Sequence, residues 1–407
     1  MDKIEILTND LKSLLLLQNL KLGSYDAEIY ALQKFNFDTS YSYKEQIFDC
    51  GYHAVEIKRS SEVWELIKNL PIEFREFKAN RRLYFNGQIL NRNYSVLDLH
   101  DPKIKSIYKE DLNHAYRYFI EHYVEGRFVP SFEQNKLWKN KFNLSMDTYL
   151  VNIQPWFYPS EFLHLINTNV EYHFENLKND DQEIAYPIAR GFGAIQECLR
   201  DILSQYIREE NILETPLKSF EVVTDLDRRG RDTGTLYVVP VDLLCLLQND
   251  KALEVAETEY AIVDVELQNE IDIDWSEILV AEPEIVIDRI SSPQHLAEGG
   301  KSRFLQVEKE FSKGFCEKTV CSALVMDIEK VISSISQKPN QVKSYKMKRV
   351  PFRRFNNQVS AAAIAECISY IEDKFENIVV ANRSILYRNF VDTYHELKNA
   401  VHRKLKI

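Results

Sequence analysis

Along this chain the apolar positions change period several times, and each change predicts an element. Ile4, Leu7, Leu11, Leu14, Leu15 and Leu22 fall on one helical face, which predicts a helix over residues 4–22. Aromatic and β-branched residues at 34–43 and 46–59 read as strands, interrupted at Cys50–Gly51. Ser60–Ser61 then caps a helix that runs through Trp64 to Leu70 and stops before Pro71, and residues 82–90 resume as a strand. Residues 105–215 read as mainly helical, with breaks at Pro187 and at Gly191–Gly193. Phe220–Asp225 and Thr235–Pro240 read as the two arms of a hairpin around Leu226–Gly234. From Glu254 to Asp288 the period is two: Ala261, Val263, Val265 and Leu267 take one side of a strand, and Asp264 and Glu266 take the other. The same alternation returns at Ile271–Trp275 and at Glu284–Asp288. After a polar loop with Gly299–Gly300 comes an apolar-rich element at Thr319–Ile335. Two amphipathic helices follow, one carrying Ile364, Cys367, Ile368, Ile371 and Phe375, the other Leu386, Phe390, Tyr394, Leu397, Val401 and Leu405.

These elements predict an α+β protein: an N-terminal α/β unit over 1–130, a mainly helical connector over 131–215, an acidic, antiparallel or mixed β-rich unit over 216–337, and a basic segment with a C-terminal helical pair over 338–407. At 407 residues the chain exceeds the size at which one core keeps growing, so two or three units are expected.

Charge sharpens the picture because it is segregated. The net charge is −11, which argues against nonspecific nucleic-acid binding by the molecule as a whole. Yet twelve carboxylates and no lysine or arginine lie between Glu254 and Asp288, while Lys338–Arg354 holds seven basic residues and no acid. Lys343, Lys346, Lys348, Arg349, Arg353 and Arg354 alternate there with Tyr345 and Phe352, a composition suited to phosphates and stacked bases. The basic segment is therefore expected to lie against the acidic strands, of its own chain or of a second copy, or to take a polyanion. Six scattered cysteines, without zinc spacing, read as buried thiols in a reducing compartment. Acids at Asp2, Glu5 and Asp10 and short apolar runs argue against a signal peptide or membrane span, so a cytoplasmic location is expected.

Several groupings carry candidate chemistry. Glu56-x-Lys58, with Asp38 and Asp49 upstream, resembles the acid-x-lysine arrangement of restriction-endonuclease-like nucleases, in which strand carboxylates hold a divalent ion and the lysine steadies the attacking water. Asp264-x-Glu266 is similar to the paired acids with which nucleotidyltransferases hold Mg²⁺, although no Gly-Ser helix start precedes it. Trp275–Val280 resembles the glutamate-bearing strand of ADP-ribosyltransferases, with Glu277 in the acid's place. Arg388 with His395, and Arg117 with His122, resemble the signature of HEPN ribonucleases. Glu161-x-x-His164 and Asp111-x-x-His114 have the spacing of di-iron bundles. Arg228, Arg229 and Arg231 suit a phosphate, but Asp225, Asp227 and Asp232 can neutralise them locally. Each competes with the plain reading of a wetted acidic or basic face.

The reading that accommodates the most of these features is an intracellular interaction protein. Its segment 338–354 binds an anionic partner, a nucleic acid or an acidic protein surface, and homo-oligomers are compatible with the opposed patches. A divalent-metal-dependent nuclease or phosphoryl-transfer enzyme, with Mg²⁺ as cofactor, is the alternative, and an enzyme of the ADP-ribosyltransferase kind using Glu277 is a further one. The sequence names no other cofactor.

Overall fold

The computed structural model describes residues 3–31, 40–49, 55–57, 61–92, 183–209, 219–240, 255–280, 285–312, 317–355, 368–381 and 390–406, leaving aside residues 9, 79, 86, 286, 288, 339, 340 and 369 within those ranges. In chain order the elements are β1 Lys3–Ile6, α1 Leu11–Leu22, β2 Asp26–Tyr30, β3 Ser40–Tyr43, β4 Gln46–Asp49, β5 Val55–Glu56, α2 Ser61–Ile67, β6 Phe74–Lys78, β7 Arg81–Phe85, β8 Gln88–Arg92 and β9 Glu183–Pro187. They continue with α3 Gly193–Ile202, β10 Ile207–Arg208, α4 Ser219–Thr233, β11 Thr235–Pro240, β12 Val255–Ile273, β13 Glu277–Val280 and β14 Arg289–Ser291. The last are α5 Pro293–Ala297, β15 Gly300–Ser312, α6 Glu317–Ser336, β16 Val342–Phe355, β17 Ile378–Ala381 and α7 Phe390–Leu405. The architecture is mixed α/β, with one parallel sheet beside antiparallel and mixed ones.

The first expected helix is two elements. Ile4 and Ile6 alternate with Lys3 and Glu5 as a strand, and the helix starts only at Leu11, where Asp10 caps it by accepting the Ser13 N–H at 2.9 Å. A four-residue strand ahead of a leucine-rich helix cannot be separated from it by period alone. β1 is the centre of a five-stranded parallel sheet in the order β10-β2-β1-β11-β17, which in sequence order is 3-2-1-4-5. That is the doubly wound Rossmann order, whose switch point lies between β1 and β11.

Its core explains the leucines. Leu11, Leu14, Leu15, Leu16, Leu17 and Leu20 of α1 are all buried, joined by Leu199 of α3, Val63 and Ile67 of α2, and Tyr394, Leu397 and Val401 of α7. Each such side chain contributes roughly 1.5–3 kcal/mol by leaving water. α4 packs on β11 and β17. It stands where the sequence predicts a hairpin arm: Val222, Val223 and Leu226 have helical spacing and are buried. Its charges pair along the helix, Arg228 and Arg229 with Asp225, and Arg231 with the buried Asp227. These arginines are thus engaged by their own helix, which takes the place of the phosphate-holding loop.

The second large sheet has seven strands in the order β16-β12-β15-β14-β13-β7-β8, antiparallel except where β13 meets β7. β12 is a single strand of 19 residues with an irregularity after Glu266, rather than two shorter ones. The basic segment forms β16, an antiparallel neighbour of β12, with Asp264 opposite Lys346 and Glu257 opposite Arg353. The acidic and basic blocks therefore meet within one chain, as their charges imply. Val263, Val265, Leu305, Val307 and Ile290 make one face apolar, packed against Leu324, Ile328, Val331 and Ile332 of α6. Small sheets complete the fold: the β3–β4 hairpin, and β5-β9-β6. The helical middle expected over 105–215 lies mostly outside the described residues; its described part holds β9, α3 and β10.

Candidate functional site

Two places in this fold gather polar groups out of water. The first is the carboxyl edge of the parallel sheet, where α1 starts. The first N–H groups of a helix carry partial positive charge and attract anions, and in Rossmann proteins a Gly-x-Gly-x-x-Gly turn lets a pyrophosphate approach them. Here the stretch from β1 into α1 reads Leu7-Thr8-Asn9-Asp10-Leu11-Lys12-Ser13, and no glycine occurs before Gly23. Thr8, Lys12 and Ser13 are buried, and the Asp10 carboxylate sits on the helix end, with Lys12 Nζ 3.9 Å away. At the far end of β2 the last strand residue is Tyr30, its ring beneath Arg208. The acid of that strand, Glu28, is in mid-strand and bound to Lys3 at 3.3 Å and Arg208 at 2.8 Å. The N-terminus of α3 is satisfied internally as well: Asp49 Oδ1 accepts from Phe192 N at 2.7 Å, and Ser40 Oγ accepts from Gly193 N at 2.7 Å. Gly191 makes this possible, because it has φ of 65° and a Cβ there would lie 2.7 Å from Asp49 Oδ1.

The second place is the polar face of the seven-stranded sheet. Alternation puts Asp264 and Glu266 of β12, Gln306 and Glu308 of β15, Arg289 and Ser291 of β14 and Glu277 of β13 on it, in adjoining register. Arg289 bonds Glu308 through Nη2 and through Nε at 3.0 Å, and reaches Glu277 Oε2 with Nη1 at 3.4 Å, all three being buried. Gln306 Nε2 donates to Glu308 Oε1 at 3.0 Å and to the backbone oxygen of Asp49 at 2.5 Å. Asp49 also receives Tyr186 OH at 2.8 Å, and burial beside that carboxylate pushes the tyrosine well above its ordinary range. One buried network thus ties the sheet to β4, β9 and the start of α3.

The β3–β4 hairpin extends this face. Tyr41 OH donates to Asp264 Oδ1 at 2.5 Å, and Lys44 bonds Glu266. Lys346 lies 4.7 Å from the Tyr43 ring centre, and Lys348 lies 4.6 Å from that of Tyr41. Burial pushes Asp264 up to about 7; the Tyr41 hydrogen bond and the Lys346 and Lys348 charges offset only part of that cost. Its Oδ2 meets no hydrogen-bond partner among the described residues. Glu266 goes the other way, held down at about 2 by hydrogen bonds from Lys44, Ser344 and Lys343. Neighbours on one strand face therefore differ in protonation near neutral pH, Asp264 titrating and Glu266 fixed as an anion.

The residues proposed from sequence separate accordingly. Asp264 and Glu266 share a face, but bind Tyr41 and lysines, and no group of three or more His, Cys, Asp or Glu able to hold a metal occurs among the described residues. Glu277 belongs to the Arg289 network. Glu56 is in β5, paired with Ile184 of β9. Lys58 and Asp38 lie outside the described residues, as do Glu161, His164, Asp111, His114, Arg117, His122 and Arg388. His395 on α7 sits 3.6 Å from Glu62. Lys343 bonds Glu266, while Arg349, Arg353 and Arg354 are placed only by the register of β16. The charge alternation pointed to this face, and Asp49 carries a signal only as an upstream acid of the Glu56-x-Lys58 grouping, while Arg289, Gln306 and Glu308 have no sequence signal beyond their place in alternating strands.

No family model matches this chain, and no curated protein matches it. Solved structures do. A reduced UDP-galactopyranose mutase superposes with a TM-score of 0.62 at 12% identity, covering 100% of this chain and 96% of that one. A putrescine oxidase bound to putrescine gives 0.60 at 9%, covering 100% and 99%. A putative protoporphyrinogen oxidase from an Exiguobacterium species gives 0.58 at 13%, covering 100% and 99%. The likeness spans the whole chain, and what it shows is the fold: a Rossmann-type α/β fold shared with these FAD-dependent enzymes. That overturns the interaction-protein reading, since the solved structures that share this fold are enzymes and not nucleic-acid-binding proteins, and the basic segment is β16, paired with β12 of its own chain. The nuclease, phosphoryl-transfer and ADP-ribosyltransferase alternatives fall with it, and so does Mg²⁺ as cofactor, because the solved structures that share the fold are FAD-dependent enzymes. The residues at α1, however, do not fit the diphosphate of FAD in the glycine-turn manner: no glycine stands between Leu7 and Ser13, and Asp10 already binds the Ser13 N–H of the first turn.

Proposed function

We propose that this chain acts on a small organic molecule as a member of the FAD-dependent oxidoreductase fold group, with its ligand on the polar face of the seven-stranded sheet. The observation that carries this reading is the whole-length likeness to proteins named for small-molecule chemistry, the galactopyranose mutase and the putrescine and protoporphyrinogen oxidases. Asp264 supports it: a buried acid that titrates near neutrality, oriented by Tyr41 and with one oxygen unpartnered among the described residues, suits holding or moving a proton on a ligand. The Lys346 and Lys348 charges beside it favour a ligand with an anionic or electron-rich group. A flavin supplies hydride or electron transfer in this fold group when bound. What this chain's own residues supply is the binding face and the acid.

Thermal-shift screening of the purified protein against carboxylates, amines, sugar nucleotides and fatty acids tests the proposal. A ligand that raises the unfolding temperature, and whose affinity falls at least about tenfold in Asp264→Ala, is expected. Failure of all four classes to shift the protein would sink it.

A further inference from the structure

We infer that this chain has closed the dinucleotide-phosphate site of its fold with its own carboxylate, and so does not hold the ADP half of FAD or NAD at the start of α1. The inference rests on the fold assignment alone and not on the ligand placed on the sheet face. Three observations at one point carry it. A diphosphate needs a backbone bare enough to approach, and side chains stand at every position from Leu7 to Ser13. It needs free N–H groups in the first helical turn, and the Ser13 N–H there is already bound by Asp10 Oδ1 at 2.9 Å. It also carries negative charge, and the group occupying that end is a carboxylate, so the field that draws phosphate to such helices is already neutralised from within. Lys12 does not restore a phosphate site, since its buried ammonium lies 3.9 Å from that same carboxylate.

The end of β2 agrees. In dinucleotide-binding Rossmann proteins an acid about 20 residues past the glycine turn takes the ribose hydroxyls. Here Tyr30 closes the strand, and Glu28 is turned to Lys3 and Arg208. The ribose and the diphosphate would each meet a side chain already committed to the protein.

The test is calorimetric titration of the purified full-length chain with ADP, then with FAD, the latter repeated under excess ADP. No saturable ADP binding up to millimolar concentration is expected. FAD is expected either not to bind, or to bind in a manner that ADP does not displace, with the flavin end held elsewhere. Saturable one-to-one ADP binding, or FAD binding that ADP displaces, overturns the inference. Either result leaves the sheet-face proposal to its own test, because that readout depends on Asp264 and not on α1.

Discussion

Asp264 and Glu266 are two residues apart on the same strand face and are displaced in opposite directions, so the decisive variable is environment rather than residue type. For Asp264 the folded value of about 7 lies above the usual 3.8. The native state therefore holds a proton that the unfolded chain has released between those values, and this group's contribution to stability is full below about pH 4 and lost as pH rises through 7. Asp264→Asn keeps the shape of the protonated acid without its titration. It is expected to raise the unfolding free energy at pH 8 by roughly 1–3 kcal/mol and to flatten the pH dependence of stability between 4 and 7, measured by urea denaturation. An unchanged pH profile would show that Asp264 is solvated and ordinary. Glu266 works in the reverse sense, its contribution being lost as pH falls from 4.5 towards 2.

Among elements, the β3–β4 hairpin shows how local backbone sets this chemistry. Its two-residue turn holds Lys44 at φ 47° and Glu45 at φ 65°, the left-handed pair that Asn-Gly fills best. Glu45 is exposed, so Glu45→Gly removes strain without touching the Lys44–Glu266 bond. A gain of about 0.5–1 kcal/mol is expected in chemical denaturation; a loss would mean that the turn does not adopt this geometry. Element types were legible in the sequence where one period ran long enough. The alternation from Ala261 to Leu267 marked β12, and Pro71 marked the end beyond α2, while the apolar stretch at 319–335 marked the place of α6 but not its type. They were illegible where two signals overlapped. Gly230 and Gly234 among charged residues read as a turn, although Asp225 with Arg228 and Arg229 already had the i,i+3 and i,i+4 spacing of a helix. The start of α1 was hidden for a different reason: the glycines by which a Rossmann turn is read are absent, so only the sheet order exposed it.

At the scale of the whole molecule, the parallel sheet is assembled from strands drawn from residues 3–6, 26–30, 207–208, 235–240 and 378–381. Pairing β11 with β17, and α1 with α7, brings the last quarter of the chain onto the first. Tyr394, Leu397 and Val401 each stabilise that closure by about 1.5–3 kcal/mol, against a net stability of about 5–15 kcal/mol for a typical domain. A chain truncated after Glu376 lacks β17 and α7, and is expected to lose its cooperative thermal transition and to bind a hydrophobic dye. A sharp transition in that truncated chain would show that the parallel sheet does not depend on them.

The packing of α7 over α1 also bears on synthesis. The ribosome delivers Leu14–Leu17 long before the helix that covers them, Phe390–Leu405. Until that helix is made, the leucine cluster lacks part of its final shelter. The nascent protein can thus complete its central sheet only once β17 and α7 have followed, and until then its leucine helix is a segment that a ribosome-associated chaperone would engage.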